Sequence, residues 1–162
     1  MTLPPWLAGA NPKRTAVRAG LLILAAYFTL SYLLMPVRGV GISMLPTIHE
    51  GDLIFVNKQA YRFRSPRRGD IVAVQIPGRA AVYVKRLVAL PGDRVSIESG
   101  VLTIDGTPID ERYVEHRAAW QLPSVTLGPD EFFLVGDNRG MPMAQHDMGI
   151  ATRSRLIGPK AF

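Results

Sequence analysis

Two residues, Ser43 and Lys85, set the chemical question. Ser43 lies in Gly39-Val40-Gly41-Ile42-Ser43-Met44-Leu45-Pro46, between glycines and a proline and among apolar side chains. Gly permits unusual φ values and Pro46 pushes Leu45 toward extended backbone, so the serine sits on a turning segment rather than in a helix. A hydroxyl exposed beside an apolar ledge is what a serine nucleophile needs, and it needs a base as well. Lys85 interrupts the apolar run Val82-Tyr83-Val84-Lys85-Arg86-Leu87-Val88, and strand alternation puts it on one face with Tyr83 and Leu87. A lysine desolvated among apolar side chains loses pKa by up to several units and can then act as a general base near pH 7. Arg86 points to the other face, where it is free to pair with an acid. Each residue alone has a plainer reading, Ser43 as a loop serine and Lys85 as a snorkelling lysine on an edge strand.

Other chemistries fit less well. A Ser-His-Asp arrangement would recruit His49, His116 or His146, and none stands in a context that fixes an imidazole beside a serine. The same three histidines lack metal-ligand spacing. The chain has no cysteine, which excludes disulfides, thiolate metal sites and cysteine nucleophiles. No metal or cofactor is expected. The net charge of +6 is uneven: Lys13, Arg14 and Arg18 precede the apolar run, and no Asp or Glu occurs before Glu50. This is an anchor with basic flanks followed by a mildly basic domain, and no nucleic-acid partner is expected from it.

The elements that must position these residues follow from hydropathy. Residues 19–37 form 19 consecutive uncharged residues, enough for a helix across the roughly 30 Å hydrocarbon core of a bilayer. Tyr32 and Pro36 near its end suit an interface and a helix exit. The run is longer than the apolar core of a cleaved signal peptide, about 7–15 residues, and no small-x-small cleavage site follows it. The three basic residues ahead of it place residues 1–18 in the cytoplasm and everything after Arg38 on the far side.

Beyond the span the segments are short. Strands are expected at Asp52–Asn57, Ile71–Ile76 (ended by Pro77-Gly78), Ala81–Leu90 and Glu131–Val135, with an edge strand at Arg155–Gly158. Arg94–Ile97 and Val101–Ile104 read as a hairpin around Glu98-Ser99-Gly100, and Asp105-Gly106 makes the next turn. Residues 107–128, with Pro108, Pro123 and Gly128, read as irregular. Tyr61–Arg68 is basic with two aromatics and reads first as a solvated loop, second as a contact for anionic lipid headgroups.

Taken together the blocks cease to be independent. Gly41-x-Ser43-Met44-x-Pro46-Thr47 with Gly51-Asp52, then Gly69-Asp70-Ile71-Val72, then Tyr83-Val84-Lys85-Arg86 with Gly92-Asp93, then Gly136-Asp137-Asn138-Arg139 resembles the type I signal peptidase family, membrane-bound serine proteases with a Ser/Lys dyad. The resemblance covers most of residues 39–158. It implies a mostly β fold, a small multi-stranded signal-peptidase-like β domain (38–162) behind one N-terminal transmembrane helix (19–37). It implies Ser43 as nucleophile, Lys85 as general base, and an extended substrate paired between the strand entering Ser43 and Val82–Val84, touching Gly41, Ile42, Met44, Val82, Tyr83 and Val84. Asp137 would bridge to Arg86 beneath the site, with Asn138 and Arg139 in support.

The implied partners are preprotein signal peptides, the lipid bilayer and, by proximity, the secretion translocon. The implied place is the plasma or inner membrane, single-pass, with the catalytic domain extracytoplasmic. Cleavage would follow small residues in an Ala-x-Ala-like pattern. Two alternatives are a dedicated maturation protease for a pilin-like or conjugation substrate, and a pseudoprotease that binds signal-like segments without cutting.

This chain departs from the family pattern in two places. Gly41 stands where some relatives carry a serine that helps the oxyanion hole, leaving the Ser43 N–H as chief donor and the second donor unidentified. Where many relatives continue GDNRxxSxDSR, this chain has Pro142 for the serine that would hold the lysine, and Ala144 and His146 for the acid and arginine. Asp147 or His146 would be the residues to substitute. The interval between Lys85 and Asp137 leaves little room for a large accessory β-domain.

Overall fold

The computed structural model describes residues 11–75 and 81–162. Ile76, Pro77 and Gly78, expected to end a strand, lie outside the described residues, as do residues 1–10 of the expected cytoplasmic segment. Two units are present, the N-terminal helix and the β domain from Met35 onward.

The helix, α1, runs over Pro12–Leu33 and not over the uncharged run 19–37. Its start is set by local chemistry rather than hydropathy. The Asn11 side chain caps it by accepting the Arg14 N–H at 3.3 Å, and Pro12 takes a first-turn position where no N–H is needed. Lys13, Arg14 and Arg18 are good helix formers and lie inside it. Its end comes early because Pro36 disfavours helical backbone at Met35. Leu34–Arg38 is instead a strand, β1. At about 1.5 Å per residue the 22 residues of α1 are long and apolar enough to cross a membrane.

Among the described residues the β domain holds three sheets. β1 pairs with β2 (Leu53–Asn57). A five-stranded antiparallel sheet contains β3 (Ile71–Gln75), β4 (Val82–Ala89), β9 (Glu131–Val135), β10 (Gly149–Thr152) and β11 (Leu156–Pro159), in the order β10-β9-β4-β3-β11. The interval between β4 and β9 folds as a second, four-stranded sheet of β5 (Arg94–Glu98), β6 (Val101–Ile104), β7 (Thr107–Pro108) and β8 (Leu122–Thr126), in the order β7-β6-β5-β8. Ser99 and Gly100 both take positive φ, the two-residue turn that matches strand twist, and Asp105-Gly106 repeats it before β7.

β7 and β8 correct the expectation that 107–128 is irregular. Pro108 and Pro123 argue against central strands, but both strands are edges, where a missing N–H costs no ladder bond. β10, also an edge strand, is too short to leave a hydropathy signal. Strand alternation divides the core: Phe133 and Val135 of β9 pack with Val95, Ile97, Leu102 and Trp120, while Phe132 and Leu134 pack with Val72, Val74 and Leu87 on the other face.

The basic stretch Tyr61–Arg68 is more structured than a solvated loop. Ala60–Phe63 forms a one-turn helix, α2, that buries Tyr61. The Tyr61 hydroxyl donates to Asp70 at 2.9 Å, and Arg64 grips the same carboxylate with bonds of 2.8 and 3.0 Å. Arg68 pairs with Asp93 at 2.6 Å. The two aspartates that open β3 and β5 take up charges that sequence alone leaves facing water.

Candidate active site

The Ser43 loop is closed at its base and pinned at its tip. Gly39 donates to the Asp52 carbonyl at 2.8 Å, and Gly51 donates back to Gly39 at 2.9 Å. Met44, Ile48 and Ile54 bury their side chains as a small cluster against Val37, Ile71 and Val84. Met44 thus seats the loop on β4 and leaves Ser43, half-buried, at the loop surface.

On β4, Lys85 is 3% exposed and its Nζ donates to Ser43 Oγ at 2.8 Å. β4 is the central strand of its sheet, so the snorkelling edge lysine is excluded. Burial pulls the Lys85 ammonium down from its ordinary range, against the charges of Asp147 and Asp137, to a pKa of about 8. At that value a substantial fraction of the amine is neutral at mildly alkaline pH.

Arg86 points to the opposite face and forms a bidentate pair with Asp137, at 2.8 and 2.6 Å. Asp137 is 1% exposed and also accepts from the Thr47 hydroxyl at 2.5 Å, while Arg86 bonds the Gly69 carbonyl at 3.0 Å. The pair therefore ties β4, the Ser43 loop and the segment after β9 together. Thr47 was not singled out by sequence, although it stands in the quoted Pro46-Thr47 block.

Asn138 fastens the loop backbone, its N–H donating to the Ser43 carbonyl at 3.1 Å and its amide to the Ile42 carbonyl at 3.1 Å. Arg139 bonds the Gly136 carbonyl at 2.9 Å and pairs with buried Glu111. Glu111 in turn holds Arg117 and the Tyr113 hydroxyl. It comes from the stretch read as irregular, where nothing distinguishes it from a surface acid.

A cleft of about 420 Å³ reaches Ser43, lined by Val37, Gly39, Gly41 and Met44 of the loop side and by Val82, Tyr83 and Val84 of β4. Among the described residues β9 pairs with β4 only from Arg86 onward, so the β4 wall of the cleft lies beyond the end of that ladder. Five of the six residues expected at a substrate line the cleft. Ile42 does not: its side chain is half exposed and its carbonyl is taken by Asn138. The Ser43 N–H makes no hydrogen bond among the described residues. Among them, too, no group of three histidine, aspartate or glutamate side chains could hold a metal ion.

Of the three histidines, His49 is exposed beside Asp52, and His116 lies against Gly140. His146 is the surprise: it is 5% exposed, and neither ring nitrogen makes a hydrogen bond. It packs edge-on against Trp120 at 4.9 Å and abuts Gly136, and it does not bond Ser43 or Lys85. Burial, with the nearby charges of Lys85 and Arg139, holds it neutral down to a pKa of about 3.

The sequence profile described as "Signal peptidase, peptidase S26" matches residues 13–162. A signal peptidase I of Leptolyngbya laminosa is 34% identical over 124 residues, which is 72% of this chain and 61% of that protein. A signal peptidase I of Bacillus licheniformis is 32% identical over 151 residues, 86% of this chain and 81% of that one. The chain spans about three fifths of the length of the Leptolyngbya protein and of two further relatives. The crystal structure of a signal peptidase I from Enterococcus faecalis superposes with a TM-score of 0.49 and 24% identity, over 59% of this chain and 97% of that one.

Two outcomes follow from this geometry. A methyl added at Gly136 would stand 2.1 Å from the Ser43 carbonyl oxygen and 2.6 Å from the His146 ring, so Gly136→Ala must displace the loop. We expect a loss of about 1–3 kcal/mol in denaturant unfolding; wild-type stability would show that the loop does not rest on Gly136. The second outcome concerns acid. Unfolded His146 binds a proton near pH 6.5 and folded His146 does not until about pH 3, so stability falls as pH drops from 6.5 toward 3. Between pH 6.5 and 4.5 this group contributes a loss of about 2 kcal/mol, which His146→Phe removes. Equal pH slopes for wild type and variant would contradict the assignment.

Proposed function

The chain belongs to the signal peptidase family, peptidase S26, and on that premise we propose that it is a membrane-anchored serine endopeptidase that removes N-terminal signal peptides from translocated preproteins. One observation carries the reading: a lysine amine buried in a central strand, 2.8 Å from the hydroxyl of a loop serine that lines an open cleft.

In this reading Ser43 Oγ attacks the scissile carbonyl while neutral Lys85 takes its proton. Lys85 then gives that proton to the leaving amine, and the Ser43 acyl-enzyme remains. Water, deprotonated by Lys85, hydrolyses the ester and frees Ser43. The unengaged Ser43 N–H is a donor for the oxyanion, and Gly41 adds no side-chain donor. The substrate binds as an extended strand along Val82–Val84, where backbone bonds supply affinity and the apolar walls select small side chains. Arg86, Asp137, Asn138 and Arg139 do not touch substrate; they hold the Ser43 loop against β4.

The helix α1 tethers the domain to the bilayer in which signal peptides reside, with the basic N-terminal side cytoplasmic and the β domain extracytoplasmic. Proximity to the translocon belongs to the same reading. The altered segment after Arg139, with Pro142, Ala144 and His146, favours a narrower, dedicated substrate set as the second reading.

Ser43→Ala and Lys85→Ala should each lower preprotein cleavage by about 10³-fold or more, with unfolding midpoints near wild type. Gel analysis of a preprotein digested by the purified full chain in detergent reads this directly. Wild-type activity in either variant rejects the dyad, and a wild-type protein that binds but never cuts is the pseudoprotease.

A further inference from the structure

A second cleft lies beyond the lysine. It measures about 230 Å³ and is bounded by Tyr83, Lys85, Leu134, Asp147, Met148 and Arg155, among others. Tyr83 lines both clefts, and Lys85 lines this one while its Nζ reaches Ser43 in the other. A polypeptide lying along Val82–Val84 and crossing Ser43 passes Lys85, which borders this second cleft.

The charges in that space are few and distinct. Asp147 is exposed and makes no hydrogen bond or ion pair among the described residues. Its carboxylate lines the cleft together with Lys85 and is the leading charge that opposes the loss of the Lys85 proton. Arg155 is already engaged, donating to the Gln75 carbonyl at 2.9 Å and the Ile150 carbonyl at 3.5 Å. The cleft therefore offers an incoming chain one carboxylate without a protein partner among the described residues, and a guanidinium partly engaged by backbone carbonyls.

We propose that this cleft receives the substrate residues that follow the cut, and that Asp147 makes it select positive over negative charge among the first of them. The inference rests on the peptidase reading above and adds a specificity-determining residue to it. A lysine or arginine side chain there meets the Asp147 carboxylate; a glutamate or aspartate meets like charge at Asp147 and, beyond the dyad lysine, has only Arg155 to turn to, a guanidinium two of whose N–H groups backbone carbonyls already hold. The amine released on acylation also appears here, and as an ammonium it faces the same carboxylate.

The test uses the full chain in detergent and one preprotein, with Lys or Glu placed in turn at each of the first three positions after the cut. The quantity read is the ratio of kcat/KM for the Lys and Glu substrates within one enzyme, which cancels any effect of Asp147 on the Lys85 proton. We expect wild type to favour Lys by about 5-fold or more at one of the three positions, roughly the worth of one opposite-for-like charge exchange. Asp147→Asn should bring that ratio toward one, and Asp147→Lys should invert it. A ratio near one at all three positions in wild type, or a preference unchanged in Asp147→Lys, overturns the inference while leaving the peptidase reading intact. Failure of wild type to cut any of the substrates overturns both.

Discussion

Lys85 is taken out of water by the central strand of its sheet and, among the described residues, has a single hydroxyl as its hydrogen-bonding partner. An ammonium in that setting is costly and a neutral amine is not, so the site is biased toward the form that can accept a proton. Everything else in the domain keeps that bias and points it. β3 pairs with β4 at Lys85 on one side, while β9 pairs with β4 only from Arg86 onward and leaves the strand before Val82–Val84. The same departure sends the chain through Gly136 and Asp137 under the Ser43 loop.

The second requirement is to hold a loop serine within hydrogen-bond reach of a residue on a rigid strand. A single buried carboxylate, Asp137, does most of this, since it must be paired and its partners come from two segments, Arg86 on β4 and Thr47 in the loop. Asn138 adds two bonds to the loop backbone, and Gly136 allows the Ser43 carbonyl to approach where no side chain would fit. Arg139 and Glu111 anchor the following turn to the stretch that precedes β8. His146 fills space beside Gly136 as a neutral ring.

Much of this was legible in the chain because its signals are local. Apolar runs bounded by Gly-Asp and Pro-Gly mark β2, β3, β4 and β9, and Ser99-Gly100 and Asp105-Gly106 mark tight turns by backbone preference alone. Alternation along Val82–Val88 put Lys85 and Arg86 on opposite faces, as they are. What sequence did not carry depends on partners distant along the chain. The start of α1 follows from Asn11 and Pro12, not from charge. β8 and β10 are edge strands whose pairing, not composition, defines them. Glu111, Thr47 and the buried setting of His146 become visible only once Arg139, Asp137 and Trp120 are in place beside them.

The central claim is that the fold lowers the proton affinity of one lysine so that it can serve the serine it touches. It is tested most directly by titrating that amine in the folded chain, by NMR of protein labelled in its lysine side chains, with Lys85→Arg identifying the signal. The account predicts a midpoint close to 8 for Lys85. A midpoint at the ordinary lysine value of about 10.4 would contradict it.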